Sequence, residues 1–221
     1  MLRYGLIWAL MLGGSALAQS GPPAKDIVYC EREKDCLAKL NGLADRKGNV
    51  LRLKLENGTE KTFRENRQAC DAHDAEECLR YDLRAYLPAQ HAYVVKWSGY
   101  EESGSLVIST KTGHSVELDS LPQFSPSGRW FASVNVNQID ESQYAFGIWS
   151  TTPDGPQQVF RYSARMTQPD EHWEFVGWDG DDRIKLKVSI NPGSGQMREM
   201  ETSAVRTAQG WRLNWPLPLP R

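Results

Sequence analysis

From Gly48 onward the chain alternates between apolar and polar positions. Leu51, Leu53 and Leu55 stand between Arg52, Lys54 and Glu56, the period-two pattern of a strand with one face buried and one in water. Asn57-Gly58 then turns the chain into Thr59–Arg64, which makes a β-hairpin of residues 50–64. A two-residue turn would pair Arg52 with Phe63 and put Phe63 on the polar face. A three-residue turn with Gly58 in left-handed backbone pairs Leu55 with Thr59 and Leu51 with Phe63. The bulged turn is therefore expected, and the sequon Asn57-Gly58-Thr59 is read as part of it.

Further strands are predicted over residues 92–97, 105–110, 115–118, 130–136, 144–150, 158–163, 173–178, 183–190, 198–206 and 211–215. Turn residues separate them, among them Ser98-Gly99, Ser125-Pro126-Ser127-Gly128, Asp179-Gly180-Asp181 and Gln209-Gly210. Helix is confined to a cysteine-bearing region. Residues 27–43 place Cys36, Leu37, Leu40 and Leu43 at helical spacing, and residues 74–81 form a second candidate.

The strands repeat. Tyr93-Val94-Val95 leads into Leu106-Val107-Ile108 and a turn ending at Gly113; Trp130-Phe131-Ala132 leads likewise into Phe146-Gly147-Ile148-Trp149 and a turn ending at Gly155. A third copy starts at Trp173-Glu174-Phe175-Val176 and fades after Ile190. Phe124-Ser125-Pro126-Ser127-Gly128-Arg129-Trp130-Phe131-Ala132, followed by Gly147-Ile148-Trp149 and Pro153-Asp154-Gly155, resembles the WD-like β-propeller repeats of bacterial periplasmic proteins. The resemblance covers residues 83–190, about half the mature chain, and shows three units, where closed propellers use about four to eight. It implies an all-β fold: antiparallel sheets in a small or incomplete propeller-like arrangement, after a short disulfide-containing helical and loop region. A fourth blade shared between the 51–64 hairpin and the strands of 198–215 would close the ring. A twisted β-sandwich is the alternative.

The N-terminus adds a compartment. Arg3, the apolar run Leu6–Leu12 and Ala16-Leu17-Ala18 have the layout of a secretory signal peptide over residues 1–18. Gly13, Gly14 and Ser15 break the run well short of the ~20 apolar residues that cross a bilayer. The expected organisation is a signal peptide (1–18), a flexible arm (19–26), a cysteine-containing segment (27–82) and a β-repeat domain (83–215). Cleavage removes one charge, Arg3, leaving 25 basic against 28 acidic side chains and a net charge of −3. Nothing there suggests nucleic acid or an anionic membrane as partner. An exported chain with four cysteines, Cys30, Cys36, Cys70 and Cys78, is expected to carry two disulfides. Helical segments would force cross-pairing, whereas loops or broken helices allow 30–36 and 70–78, the favoured pairing.

Candidate chemistry is sparse. There is no G-x-S-x-G elbow, no phosphate loop and no paired C-x-x-C, so no catalytic residue and no cofactor is assigned. Asp71, His73 and Asp74, with Glu76 and Glu77 beside them, are the densest metal candidates, weighed against a plain acidic loop held by a disulfide. Asp179-Gly180-Asp181-Asp182 has the composition of a calcium loop but lacks its alternating ligands and distal Glu, and is read as a hairpin turn. Trp97, Tyr100, Glu101, Glu102 and His172 form the candidate binding surface, with Tyr100 expected to be exposed in a polar turn. Trp130, Trp149, Trp173, Trp178, Trp211 and Trp215 are expected to fill space between sheets. Three readings follow. The first is an exported, periplasmic, monomeric non-enzymatic module that binds a protein or glycan partner in the cell envelope. The second is an inhibitor of an envelope-directed hydrolase such as a lysozyme-type enzyme, with residues 98–104 or 170–172 entering the cleft. The third is a metal-assisted hydrolase built on Asp71, His73 and Asp74.

Overall fold

The computed structural model describes residues 27–135, 144–163, 171–191 and 196–215. The expected signal peptide, the arm and Asp170 lie outside them. The all-β expectation holds: four antiparallel sheets account for most of the described chain. The first contains β2 (Ala44–Lys47), β3 (Val50–Lys54) and β4 (Glu60–Arg64). The second has the order β1-β5-β6-β7-β8, from Val28–Tyr29, Arg80–Leu87, Ala92–Ser98, Ser103–Ser109 and Ser115–Leu118. The third is a meander of β9 (Gln123–Phe124), β10 (Trp130–Val134), β11 (Phe146–Ser150) and β12 (Gln157–Tyr162). The fourth is a meander of β13 (Glu171–Trp178), β14 (Arg183–Ile190), β15 (Arg198–Thr207) and β16 (Gly210–Asn214).

The sheets stack face to face in chain order, four layers where a sandwich has two. Leu51, Leu53 and Phe63 of the first pack with Leu83, Tyr93, Val95 and Ile108 of the second. The second sheet's other face, with Ala85, Leu87, Val94 and Val107, meets Phe131 and Trp149 of the third. Ala132, Phe146 and Ile148 then meet Trp173, Ile184, Leu186 and Val188 of the fourth. The two middle sheets are thus covered on both faces, which is why their strands read as near-continuous apolar runs. The outermost faces are polar: Lys187 pairs with Glu199 at 2.8 Å on one, Arg52 with Asp45 at 3.8 Å on the other.

The bulged hairpin is present. Leu51 pairs with Phe63, the Leu55 N–H donates to the Thr59 carbonyl at 2.8 Å, and Gly58 has φ 83°. Strands β8 and β14 match their expected ranges, and the other predicted strands differ at their ends by one or two residues, apart from Val136, which lies outside the described residues. Four expectations are corrected. The 27–43 helix contracts to α1 (Glu33–Leu40), because Val28–Tyr29 pairs with Tyr86 and Ala85 and because Asn41 ends the helix in left-handed backbone. The 74–81 segment is not helical: the Asp74 carboxylate accepts the N–H groups of Glu76 and Glu77, forming a turn that leads to Cys78, and Arg80 opens β5. The short helix nearby is α2 (Arg67–Asp71), capped by Asn66, whose side chain accepts the Ala69 N–H at 3.2 Å. The 51–64 hairpin and the terminal strands share no sheet, since β15 and β16 complete the sheet begun by β13.

Fourth, the strand that carries Trp173 does not occupy the same place in its sheet as the one that carries Trp130, and β15 and β16 continue the Trp173 sheet beyond Ile190. Trp130 lies in the second strand of its sheet and Trp173 in the first of the next. Equivalent turns of successive sheets touch. Ser109 Oγ donates to the Pro153 carbonyl at 2.7 Å and Thr112 Oγ1 to that of Asp154 at 2.9 Å. Gln90 Nε2 donates to the Ser127 carbonyl at 3.0 Å, while Asp181 accepts the Ser127 N–H at 3.0 Å and pairs with Arg129 at 3.2 Å. One end of the stack is therefore a layer of short interlocked turns.

Candidate functional site

The opposite end carries the longer connections. There the chain between β4 and β5 holds α2 and the bridge Cys70–Cys78; the other bridge is Cys30–Cys36. In each pair one cysteine lies on a helix and its partner beyond the helix end, so the favoured local pairing forms without a geometric conflict. Two intact bridges in a chain with no free cysteine accord with an oxidising compartment. Among the described residues, no helix is long and apolar enough to cross a membrane.

Beside the Cys70–Cys78 loop stands the β6–β7 hairpin. It closes tightly, the Gly99 N–H donating to the Glu102 carbonyl at 2.8 Å. Tyr100 is 46% exposed and sits edge-on to the His73 ring, centroids 6.0 Å apart. Glu101 and Glu102 flank it, both exposed. The structure thus brings Tyr100, Glu101, Glu102 and His73 to one edge. Trp97 serves otherwise. Its indole covers Gly104, where a Cβ would lie 2.7 Å from the ring nitrogen, so it packs within the second sheet. His172 is exposed opposite Ser189 on the outer face of the fourth sheet, two layers away from the hairpin.

The metal candidates are engaged separately. Asp71 pairs with Arg80 at 3.2 Å, Asp74 caps its own turn, and His73 meets Tyr100. No three His, Cys, Asp or Glu side chains converge as a metal site among the described residues. Asp179-Gly180-Asp181-Asp182 is the β13–β14 turn. Burial pushes the Asp181 carboxyl up, but the Ser127 N–H, the hydroxyls of Ser127 and Ser125, and Arg129 outweigh it and hold the group below the ordinary aspartate value.

The tryptophans fill space as expected. Trp149 stacks on Phe131 with centroids 5.5 Å apart, and Trp173 meets Tyr162 at 5.2 Å and Trp215 at 5.5 Å. Trp211 lies edge-on to Trp130 at 5.8 Å and to Trp178 at 5.9 Å.

A second feature has no forerunner in the sequence. A cavity of about 240 Å³ opens between β1 and the segment leading into β9, lined by Tyr29, Cys30, Arg84, Ala85, Val94 and Leu121–Phe124. It lies at a β-bulge. Leu83 pairs with Val95 and Ala85 with Val94, which leaves Arg84 as the extra residue. The bulge also switches the strand's facing, so that Leu83 packs toward the first sheet and Ala85 toward the third. Tyr81, Leu83, Ala85 and Leu87 alternate perfectly in sequence, so no periodicity could have revealed the switch. No family model matches the chain, and no curated protein or solved structure shows significant similarity to it.

Proposed function

We propose that the protein is an exported, periplasmic, non-enzymatic binding module that holds a protein or glycan partner against its loop-bearing end. One observation carries this reading: Tyr100, exposed on a tight hairpin, rests on His73 of a disulfide-braced loop, with Glu101 and Glu102 beside it. A tyrosine held in place presents contact area at small entropic cost, as interface anchors do. Among the described residues the opposite end is made of interlocked turns, and the outer sheet faces carry ordinary charged pairs. The chain-order stacking and the contacts between equivalent turns also support a propeller-like kinship, with the stack left open at both ends.

A second reading is favoured by the rigidity and charge of the same hairpin. A short acidic hairpin fits the entrance of a cationic cleft and suits an inhibitor of an envelope-directed hydrolase. One experiment tests both. The mature chain, immobilised, is exposed to envelope extract and to purified envelope glycans, with Tyr100→Ala and Val176→Ser as paired variants. The first reading expects capture that Tyr100→Ala abolishes and Val176→Ser, on the fourth sheet, preserves. Loss of a bound hydrolase's activity on capture selects the inhibitor. No capture, or capture indifferent to Tyr100, refutes both.

A further inference from the structure

We propose that the cavity at the Arg84 bulge is a binding site for a small carboxylate with an apolar or aromatic body. Arg84 is the only charged one among the described residues that line it, and no acidic side chain is among them. Among the described residues the Arg84 guanidinium has no carboxylate partner and no hydrogen bond, and the Tyr29 hydroxyl has none either. The other half-buried arginines among the described residues are paired, Arg46 with Glu33 and Arg52 with Asp45, whereas Arg64, Arg183 and Arg198, which also lack a partner, stand exposed. Arg84, half-buried and unpaired in a wall shared with Ala85, Val94, Leu121, Pro122 and Phe124, therefore stands out.

The ligand class follows from the lining. A guanidinium matches a carboxylate in a two-pronged fork, and one cation neutralises one monoanion. A phosphate dianion would keep an uncompensated charge against apolar walls, which is costly. Leu121, Pro122 and Phe124 suit a hydrocarbon or aromatic body, while Tyr29 and Gln123 offer polar groups at the rim. The volume, about 240 Å³, falls below the roughly 300–1,000 Å³ of drug-sized pockets, so the ligand is about the size of one aromatic acid. The walls are held in place. Val28–Tyr29 is tied to β5 by pairing with Tyr86 and Ala85, and Cys30 is bridged to Cys36 on α1. The carboxylate can belong to a free acid or to the end of a peptide lying along β1, which is the edge strand of its sheet.

The site is tested by titrating ¹⁵N-labelled mature protein with phenylacetate, phenylacetamide, and a tripeptide ending in Phe with a free C-terminus. Saturable shifts at the amides of Ala85, Val94, Leu121 and Phe124 are expected for the acids, with at least tenfold weaker binding of the amide. Arg84→Gln abolishes acid binding, and Arg84→Lys, which keeps the charge but loses the fork, weakens it about tenfold; near-ultraviolet circular dichroism confirms that both variants are folded. A tenfold preference for phenylacetate or for the tripeptide assigns the source, and either one sustains the site. No saturable shift at those amides, equal binding of acid and amide, or full binding by folded Arg84→Gln overturns it. Since Tyr100 contributes nothing to this cavity, Tyr100→Ala should bind phenylacetate as wild type does, which separates this result from that of partner capture.

Discussion

Arg46 offers the sharpest test of how the first two sheets are joined. Its guanidinium pairs through Nε with Glu33 of α1, and its Nη2 donates to Glu33 Oε1 at 2.7 Å and to the Tyr81 carbonyl at 2.6 Å. Its Nη1 lies 3.0 Å from Glu65 Oε1, and the Glu65 side chain is only 1% exposed. Glu65 in turn accepts the Tyr81 N–H at 2.9 Å, and Glu33 the Leu83 N–H at 3.1 Å. One cation thus binds a buried carboxylate, Glu65, and a partly buried one, Glu33, which anchor the start of β5. In Arg46→Met the Glu65 carboxylate stays buried without it, and removing one partner of a buried pair costs about 3–5 kcal/mol. With a urea m-value of about 2 kcal/mol/M the midpoint at pH 7 falls by about 1.5–2.5 M. Acidity should narrow the gap. In the wild type, burial pushes the Glu65 carboxyl up, but Arg67, the Tyr81 N–H and Arg46 outweigh burial and hold it below the usual glutamate value. Its contribution is present above the unfolded pKa and is lost as pH falls through the lower folded one. Without Arg46 the balance shifts toward burial and the carboxyl takes up its proton more readily, which relieves the variant in acid. Unfolding in urea at pH 7 and pH 4, followed by tryptophan fluorescence, measures both. A loss under 1 kcal/mol at pH 7, or a difference as large at pH 4, would refute the reasoning.

Three further outcomes are expected. Gly147→Ala places a Cβ 2.4 Å from the Trp149 ring, which Phe131 holds by stacking, so overpacking should cost about 1–3 kcal/mol in urea unfolding; a neutral result would mean that Trp149 can move. Replacing Cys30 and Cys36 together by Ser opens a loop of six-residue separation and should lower stability by about 2 kcal/mol by chain entropy, with phenylacetate binding falling as β1 loosens; unchanged binding would show that pairing with β5 alone holds the wall. Asp181→Asn weakens the contact between the third and fourth sheets, costing about 1–2 kcal/mol at neutral pH. Because the Asp181 carboxyl is held below its ordinary value, the wild type loses that advantage as pH falls through the folded pKa, and the two unfolding midpoints should converge there; parallel curves would sink the assignment.

The strands were legible where alternation and turn chemistry agree. Leu51–Phe63 is the clear case: putting Phe63 on the buried face leaves one turn geometry, and Gly58 supplies its left-handed backbone. The tight turns at Gly113 and Gly155 were legible for the same local reason. The places of the strands that carry Trp130 and Trp173 were not, since both tryptophans precede apolar runs but lie in the second strand of one sheet and the first of the next. Nor was β5, whose acidic prelude has helical composition until Asp74 captures two backbone N–H groups. Local hydrogen bonding by an aspartate competes with helix, and here it wins.

The candidate sites divide along the same line. Tyr100 could be read as exposed because its neighbours Ser98, Gly99, Glu101 and Glu102 have the composition of a turn. Its contact with His73 depends on the β4–β5 connection returning to the β6–β7 hairpin, a tertiary fact. Arg84 was hidden for a stricter reason. In a regular strand Leu83 and Ala85 would share a face, yet the second sheet must feed two cores, one with Leu51 and one with Phe131. A single strand can serve both only by inserting a residue, and the inserted residue is freed from the alternation that fixes its neighbours. The stacking of sheets on both faces therefore created the position at which an unpaired guanidinium could reach a cavity, and the packing requirement and the proposed site have one origin.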